Sequence, residues 1–165
     1  MDYSVLWKLS YGLYAIGVME GEKAQGCIVN TVFQITADGM VALSMSKANH
    51  THDLIKNAGR FSVSICTEET PKLTIGKLGF HSGAKCEKFG GLPTEIIDGL
   101  PYLKDRCAGW LTCRVTGSFD ADTHTVFFAR VEDARIGEEA PIMTYEYYHN
   151  VIKGKAPKNA PTYQA

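Results

Sequence analysis

The chain has 165 residues, of which 45% are hydrophobic and 21% are charged, and its formal net charge is -1. This length suits one domain with a sizeable core, and the near-neutral charge provides no global basic field for nucleic acid. No apolar run approaches the roughly 20 residues of a membrane span, and the N-terminus lacks a signal-peptide pattern, so we expect a soluble cytoplasmic protein without a membrane partner.

The first 46 residues predict three strands. Apolar and aromatic residues fill Tyr11–Met19, which ends at a charged turn, EGEK. A second extended run covers Gly26–Thr36 and a third covers Met40–Ser46. Valine, isoleucine, threonine and aromatic residues bounded by glycine and aspartate are typical of strands. Short strands at this spacing favour an antiparallel barrel or sandwich.

The middle of the chain predicts short helices between strands. Thr51–Gly59 is typical of a short helix capped by Thr51 or Asn49, and Thr70–Gly79 of a second helix with Thr70 as its cap. Residues 60–67 predict a strand, and a polar loop follows the second helix.

A long hairpin is predicted next. Residues 107–121 and 124–136 form its two strands, joined by a turn at 120–123. The tail from Pro141 onward is less regular and contains a basic KGK segment.

The five cysteines show no pairing pattern. They are Cys27, Cys66, Cys86, Cys107 and Cys113. Their odd number and the lack of CxxC spacing argue against a disulfide framework or a structural zinc site. We expect free, mostly buried thiols.

A polar segment, SKANHTHDLI, follows the third predicted strand at Ser46–Ile55. A metal site would use His50 and His52, but no third ligand is evident. An anion site would use the Lys47 charge at a strand-to-helix junction, where free N–H groups favour a phosphate. A plain helix cap with exposed charges is the third alternative.

A second polar loop, 80–89, carries two lysines, a histidine and a serine around Gly83. Together with Ser46–Ile55 it can clamp one phosphate. Asn30, Thr31 and Gln34 interrupt an apolar strand, and they either face solvent or present polar groups to a ring edge. Neither GxGxxG nor GxxxxGK[ST] is present, which excludes the usual dinucleotide and P-loop sites.

Several short motifs occur in a fixed order along almost the whole chain. They are YGLY (11–14), NTVFQ (30–34), KxNxTH (47–52), GF (79–80), EKF (87–89), THT (123–125) and TYEYYH with KGKAPKNAPTY near the end. This ordered set resembles the flavin-reductase-like family with its FMN-binding split barrel. It is most similar to the group containing archaeal ferric reductase and the flavin reductase domains of high-molecular-weight rubredoxins.

The resemblance implies a mainly β fold: a six-stranded antiparallel Greek-key split barrel with short flanking helices. It implies one domain over residues 1–165, with 141–165 as a covering tail, and a homodimer with FMN near the interface. The residues themselves predict no metal site, because no third ligand accompanies His50 and His52.

The resemblance also implies site residues. The flavin ring would contact Asn30, Thr31, Val32, Phe33 and Gln34. The phosphate and ribityl chain would contact Ser46, Lys47, Asn49, His50, Thr51, His52 and Leu54, with His81, Ser82, Gly83 and Lys88 as a second clamp. His124 would be the catalytic histidine beside flavin and nicotinamide, and the NAD(P)H site would add Tyr148, His149, Lys153, Lys155 and Pro157.

The implied function is an FMN-dependent NAD(P)H oxidoreductase that passes electrons to free flavin, ferric complexes or a rubredoxin-type partner. One alternative is an FMN-binding electron-transfer protein that a protein partner reduces. Another is a flavin-storage or pyridoxamine-phosphate-oxidase-like protein. Hydride transfer is chemistry of the cofactors, which agrees with the absence of an evident acid–base pair. His124 either donates to flavin or nicotinamide, or satisfies a hydrogen bond in the core.

Overall fold

The computed structural model describes residues 1–163. A 3-10 helix, Tyr3–Lys8, opens the chain. The strands are β1 (Tyr14–Glu20), β2 (Lys23–Val29), β3 (Val32–Gln34), β4 (Met40–Ser46), β5 (Arg60–Cys66), β6 (Thr94–Ile97), β7 (Leu100–Leu103), β8 (Cys107–Ala121) and β9 (His124–Ile136). The α-helices are α1 (His50–Ala58), α2 (Lys72–Phe80) and α3 (Tyr145–Asn150).

One antiparallel sheet dominates the fold, with strand order β2-β1-β5-β8-β9-β4-β3. The mainly β prediction is confirmed, but the predicted count of six strands is wrong, because this sheet has seven and β6 and β7 form a separate hairpin. The predicted run Gly26–Thr36 divides at Asn30 and Thr31 into β2 and β3, which lie at opposite edges of the sheet. Since only two residues join those edges, the sheet must curl until its edges approach each other.

The extra hairpin has a sequence signal that the strand analysis missed. Asp98 and Gly99 connect β6 to β7, with φ values of 50° and 73°. Two consecutive residues with positive φ are typical of the tight hairpin turns that asparagine or aspartate followed by glycine forms readily. The long hairpin of β8 and β9, in contrast, has the predicted bounds.

Three apolar clusters hold the elements together. Inside the curl, Ile16, Leu43, Phe61 and Phe127 belong to the main core. A second cluster packs α2 against β1 and β2, and a third joins α2 to the tail around α3. The tail, predicted to be irregular, is therefore anchored by a helix whose Tyr148 is buried.

The two predicted helices begin differently from each other. Asn49 caps α1 by accepting a hydrogen bond from the Thr51 amide at 3.0 Å, and Gly59 ends the helix with a φ of 66°. Thr70 does not cap α2, contrary to prediction. Its hydroxyl instead accepts a hydrogen bond from the Thr67 amide and donates one to the Arg106 carbonyl. The side chain therefore stabilises the turn before α2 rather than the start of the helix.

The five cysteines are free thiols in the described chain, and only Cys86 among them is exposed. Residues 1–163 contain no helix long and apolar enough to cross a membrane.

Candidate functional site

A cavity of ≈ 230 Å³ lies where the ends of β2 and β4 meet the start of α1, the loop 81–88 and the tail. The structure brings many of the predicted site residues to its wall. They are Asn30, Ser46, Asn49, His50, His81, Ser82, Gly83, Lys88, His124, Tyr148, Lys155 and Pro157. The two polar segments identified in the sequence therefore face one common space.

A wider cleft of ≈ 780 Å³ adjoins this cavity and is lined by β3, by residues 9–12 and by side chains of the neighbouring strands. It shares Asn30 and Ser44 with the first cavity, and its wall includes Thr31, Val32, Phe33 and Gln34. The predicted ring-contacting strand thus lies beside the cavity rather than inside it. Phe33 is 57% exposed, although it is a large aromatic residue.

Other predicted residues of the Ser46–Ile55 segment point away from the cavity. The Lys47 ammonium contacts Asp120 Oδ1 at 2.7 Å, and this hydrogen bond lowers the pKa of Asp120. His52 lies close to Thr125 Oγ1 at 2.8 Å and to Asp53 at 2.7 Å. Thr51 is buried and Leu54 packs on the main core. His50 and His52 are on a helix rather than a strand, so they do not share a face.

Of the two lysines on the cavity wall, Lys88 is buried whereas Lys155 is exposed. Lys88 is 3% exposed, and its ammonium donates to the His81 carbonyl. Burial lowers the pKa of Lys88, and within residues 1–163 no carboxylate forms an ion pair with it. A buried charge is costly unless an opposite charge compensates it. An ammonium on a cavity wall under these conditions is suited to an anionic ligand.

Two residues that the sequence analysis missed position this loop. Gln25, which is 1% exposed, donates to the Gly83 carbonyl at 2.8 Å and to Glu20 at 3.0 Å, and accepts from the Lys88 amide at 3.2 Å. Glu20 in turn contacts His50 Nε2 at 3.0 Å. Hydrogen bonds from Gln25 and His50 lower the pKa of Glu20. The sequence analysis gave no signal for either residue, because Gln25 precedes the predicted run Gly26–Thr36 and Glu20 belongs to the predicted charged turn.

Replacing Gln25 with leucine is expected to weaken anion binding at this cavity by about tenfold. The change keeps the side-chain volume but removes the hydrogen bonds that hold the loop, each worth about 1 kcal/mol. Fluorescence titration with FMN would measure the affinity, and chemical denaturation would measure stability in parallel. Lower stability with unchanged FMN affinity would show that Gln25 supports only the fold.

The tail of the same chain covers the cavity. Residues 155–157 and 159–161 lie on its wall. Asn30 donates to Thr162 Oγ1 at 2.5 Å, and the Tyr145 hydroxyl donates to the Thr162 carbonyl at 3.3 Å. A side chain at Gly154 would meet the Tyr148 ring at 2.0 Å, so glycine permits the close approach there. Lys153 is exposed and does not line the cavity.

His124 begins β9 opposite Ser46 and reaches the cavity wall. Its Nδ1 lies 2.9 Å from Thr123 Oγ1, whereas Nε2 is buried and has no hydrogen-bond partner among the described residues. Burial lowers the pKa of His124, and the nearby Asn159 backbone partly offsets this without reaching hydrogen-bonding geometry. An unsatisfied ring nitrogen at a cavity favours a ligand contact over a purely structural role.

Comparison with known proteins gives the family of the chain. A family model described as "Flavin reductase like domain" matches residues 6–155. The chain is 41% identical to a high molecular weight rubredoxin of Moorella thermoacetica, over 99% of this chain and 72% of that protein. It is 35% identical to a ferric-chelate reductase (NAD(P)H) of Archaeoglobus fulgidus, over 99% of this chain and 98% of that protein.

Solved structures share the fold. The Streptomyces globisporus NADH:FAD oxidoreductase SgcE6 superposes with a TM-score of 0.76 at 17% identity, covering 85% of this chain and 84% of that one. An FMN-binding protein of Thermus thermophilus gives a TM-score of 0.70 at 25% identity, covering 77% and 72%. The family match and the two full-length relatives establish that this chain belongs to the flavin reductase-like domain family.

Proposed function

We propose that the protein is an FMN-dependent NAD(P)H oxidoreductase that transfers a hydride from NAD(P)H to FMN and passes the electrons onward. The observation that carries this proposal is the buried Lys88 ammonium on the wall of a covered cavity, without a carboxylate partner in residues 1–163. Two relatives match 99% of this chain, and the name of one of them, a ferric-chelate reductase (NAD(P)H), supports the same function.

The residues on the wall fit the parts of FMN. The phosphate would lie between the loop 81–88 and the start of α1, where it meets Lys88, Ser82 and Asn49. His50, held by Glu20, adds a ring edge to this clamp. The ribityl chain would pass Ser46, and the ring would lie where the cavity and the wider cleft meet at Asn30 and Ser44. There His124 would border the ring from the cavity and Val32 to Gln34 from the cleft. In this arrangement Lys47, paired with Asp120, lies outside the phosphate clamp, and Thr51, His52 and Leu54 lie on the side of α1 that faces away from the cavity.

FMN, when bound, supplies a hydride acceptor that can release electrons singly or in pairs. The remaining contributions come from the chain. His124 would orient a polar edge of flavin or nicotinamide through Nε2, and Lys88 would compensate the phosphate charge. The tail between Lys155 and Pro161 would exclude water from the reacting groups, which strengthens electrostatic contacts inside the site.

A homodimer would complete the wider cleft. The 3-10 helix exposes Val5, Leu6 and Trp7, and β3 exposes Phe33 beside the cleft. An exposed apolar surface of this kind is typical of an interface between subunits. We expect sedimentation at micromolar concentration to give about twice the 18.1 kDa chain mass. A stable monomer that still binds FMN would contradict this placement of the interface.

The electrons would leave toward free flavin, a ferric complex or a rubredoxin-type protein. The names of the two full-length relatives support the last two acceptors. A cytoplasmic location suits the free thiols at Cys27, Cys66, Cys86, Cys107 and Cys113, because a reducing compartment keeps cysteines unpaired.

Anaerobic stopped-flow mixing tests the proposal. The purified protein is loaded with FMN and mixed with NADH or NADPH, and bleaching of the flavin absorbance is followed. Rapid bleaching with either donor is expected. If FMN binds but neither donor bleaches it, the protein is instead an electron-transfer module that a protein partner reduces.

A further inference from the structure

The molecule has a lysine surface around the covered cavity. It is built by α2 with the loop that follows, residues 72–92, and by α3 with the tail, residues 145–163. These two segments contain two glutamates and seven lysines, which are Lys72, Lys77, Lys85, Lys88, Lys153, Lys155 and Lys158. The rest of the chain has ten basic and sixteen acidic residues. A nearly neutral protein is therefore polarised, with its positive charge gathered beside the site.

Contacts within the chain place the two segments on one side of the molecule. The Lys72 ammonium donates to the Ile152 carbonyl at 3.2 Å, which joins the start of α2 to the tail. Phe80 at the end of α2 and Lys155 in the tail both line the covered cavity. The exposed residues of the lysine surface therefore surround the same space.

The lysines of this surface have no carboxylate partner within residues 1–163. The lysines of the described chain that do form ion pairs are Lys47 and Lys104, and neither belongs to the two segments. Glu87, in the loop, accepts a hydrogen bond from the Ala24 amide at 3.0 Å instead. The exposed lysines thus produce a positive field that attracts an acidic partner.

An apolar stripe runs through the lysine surface. On α2, Leu73, Gly76 and Phe80 are three and four residues apart, so they share one face of the helix. Leu73 is 88% exposed and Phe80 is 49% exposed, and a side chain at Gly76 would meet open space. The opposite face of α2 buries Ile75 and Leu78. A helix that is apolar on both faces is typical of an element that a partner covers.

Charge and apolar stripe together identify the occupant. A small anion such as a ferric polycarboxylate uses the lysines but leaves Leu73 and Phe80 in water. A second copy of the chain, related by a twofold axis, would bring these lysines against each other, and like charges repel. Nucleic acid is disfavoured because none of the seven cations is an arginine. An acidic protein with an apolar contact patch satisfies both features.

The tail is thin above the reacting groups. Lys155 and Asn159 line the cavity and are also exposed, so one layer of chain separates the cavity from solvent there. The Asn159 backbone lies near His124, which would border the flavin ring. A partner that binds over the tail would therefore hold its redox centre close to the ring.

We propose that the lysine surface docks a small acidic protein that carries a one-electron redox centre. This inference rests on the proposed oxidoreductase function and names the class of its electron acceptor. One NAD(P)H supplies two electrons as a hydride, so it reduces two molecules of the carrier in succession and releases one proton to solvent. The complex is transient, because each carrier must leave after it has taken one electron.

Binding of an oxidised acidic rubredoxin to the FMN-loaded protein tests the surface without electron transfer. Calorimetry at moderate ionic strength is expected to detect binding, and Lys72→Glu combined with Lys158→Glu should weaken it about tenfold. Lys23→Glu combined with Lys56→Glu is the matched control, since it changes the same charge at exposed lysines outside both segments, and it should leave the affinity almost unchanged. High salt should remove the difference between the two double variants. Equal effects of both, or equal binding of a basic cytochrome c, would overturn the proposal.

The Leu73→Ser variant tests the apolar stripe. Leu73 is almost fully exposed, so the stability of the protein should not change, whereas rubredoxin binding should weaken about threefold to tenfold as the apolar contact is lost. Ile136→Ser, at an exposed apolar residue that ends β9, is the matched control and should leave binding unchanged. Sedimentation of Leu73→Ser should match that of the unmodified protein. Loss of a dimer would show that a second copy covers the stripe and would contradict an acidic partner.

Turnover with different acceptors supplies a further readout. Lys72→Glu combined with Lys158→Glu should raise KM for rubredoxin about tenfold and leave the reduction of riboflavin, a small neutral acceptor, unchanged. If the same variant impairs the reduction of ferric citrate equally and Leu73→Ser has no effect, the lysines serve a small chelate and the protein partner is wrong.

The binding and turnover results also separate this inference from the proposed function. If rubredoxin does not bind while NAD(P)H still bleaches FMN, the docking surface is wrong and the oxidoreductase function stands. If rubredoxin binds with the expected variant effects but NAD(P)H does not bleach FMN, the docking surface is correct and the proposed hydride donor is wrong.

Discussion

Replacing Lys88 with methionine is expected to weaken FMN binding by about 10-fold to 100-fold. The ammonium is buried on the cavity wall, and within residues 1–163 its hydrogen bond goes to a neutral carbonyl, that of His81. A hydrogen bond to a charged group contributes about 1.5–3 kcal/mol, which corresponds to this range of affinity. Methionine keeps the length and packing of the side chain, so the loss reports the charge.

Two other lysines serve as controls for Lys88. Lys85 is exposed in the same loop and does not line the cavity, so Lys85→Met should leave FMN affinity almost unchanged. Lys47, which the sequence analysis identified as the phosphate charge, is already paired with Asp120. We therefore expect Lys47→Met to cost less than Lys88→Met. Equal affinities of Lys88→Met and the unmodified protein, by equilibrium dialysis of FMN, would contradict the anion site.

Replacing His124 with leucine is expected to slow anaerobic reduction of bound FMN by about 100-fold, while FMN affinity changes only a few-fold. His124 lines the cavity, and its Nε2 is buried and has no hydrogen-bond partner within the described chain. A hydrogen bond made to the reacting groups is worth about that factor in rate. His124→Gln keeps a polar end and should recover part of the rate. Loss of the fold instead of the rate would indicate a structural role.

The pH dependence of stability gives an independent measurement on His124. Burial places its folded pKa below the ordinary 6.5, so the unfolded chain takes up the proton first as the pH falls. The free energy of unfolding contributed by this group therefore decreases below about pH 6.5 and continues to decrease down to the folded pKa. Denaturant unfolding at pH 7.5 and 5.5 should show a larger drop for the unmodified protein than for His124→Leu. An equal drop in both proteins would contradict the lowered pKa.

Local patterns in the sequence were sufficient for most of the elements. The β8–β9 hairpin has its predicted bounds, because two strands that follow each other in the chain and are joined by a short polar turn carry strong local signals. The helix α1 is also found within a residue of its predicted bounds, since Asn49 and Gly59 are strong local signals for its ends. The hairpin of β6 and β7 was missed, although Asp98 and Gly99 carry its turn signal.

Which residues face the cavity was only partly predictable. The sequence placed two polar segments near one phosphate, and the structure brings Asn49 and Ser82 to one wall. It did not distinguish Lys47 from Lys88, because both are lysines in polar loops. Their difference depends on Asp120, which is 73 residues away from Lys47, and on the burial of the Lys88 side chain.

The sequence alone therefore determined the mainly β class, the order of most of the elements and the resemblance to a flavin-binding family, since these follow from local pattern and ordered motifs. Only the tertiary structure decided that Asn30 and Thr31 join opposite edges of a curled sheet. It also decided that Gln25 bonds to the loop 81–88 and that Glu20 contacts His50. The physical reason is that such contacts join residues far apart in the chain. Their energy depends on burial and on hydrogen-bond partners that no local pattern specifies.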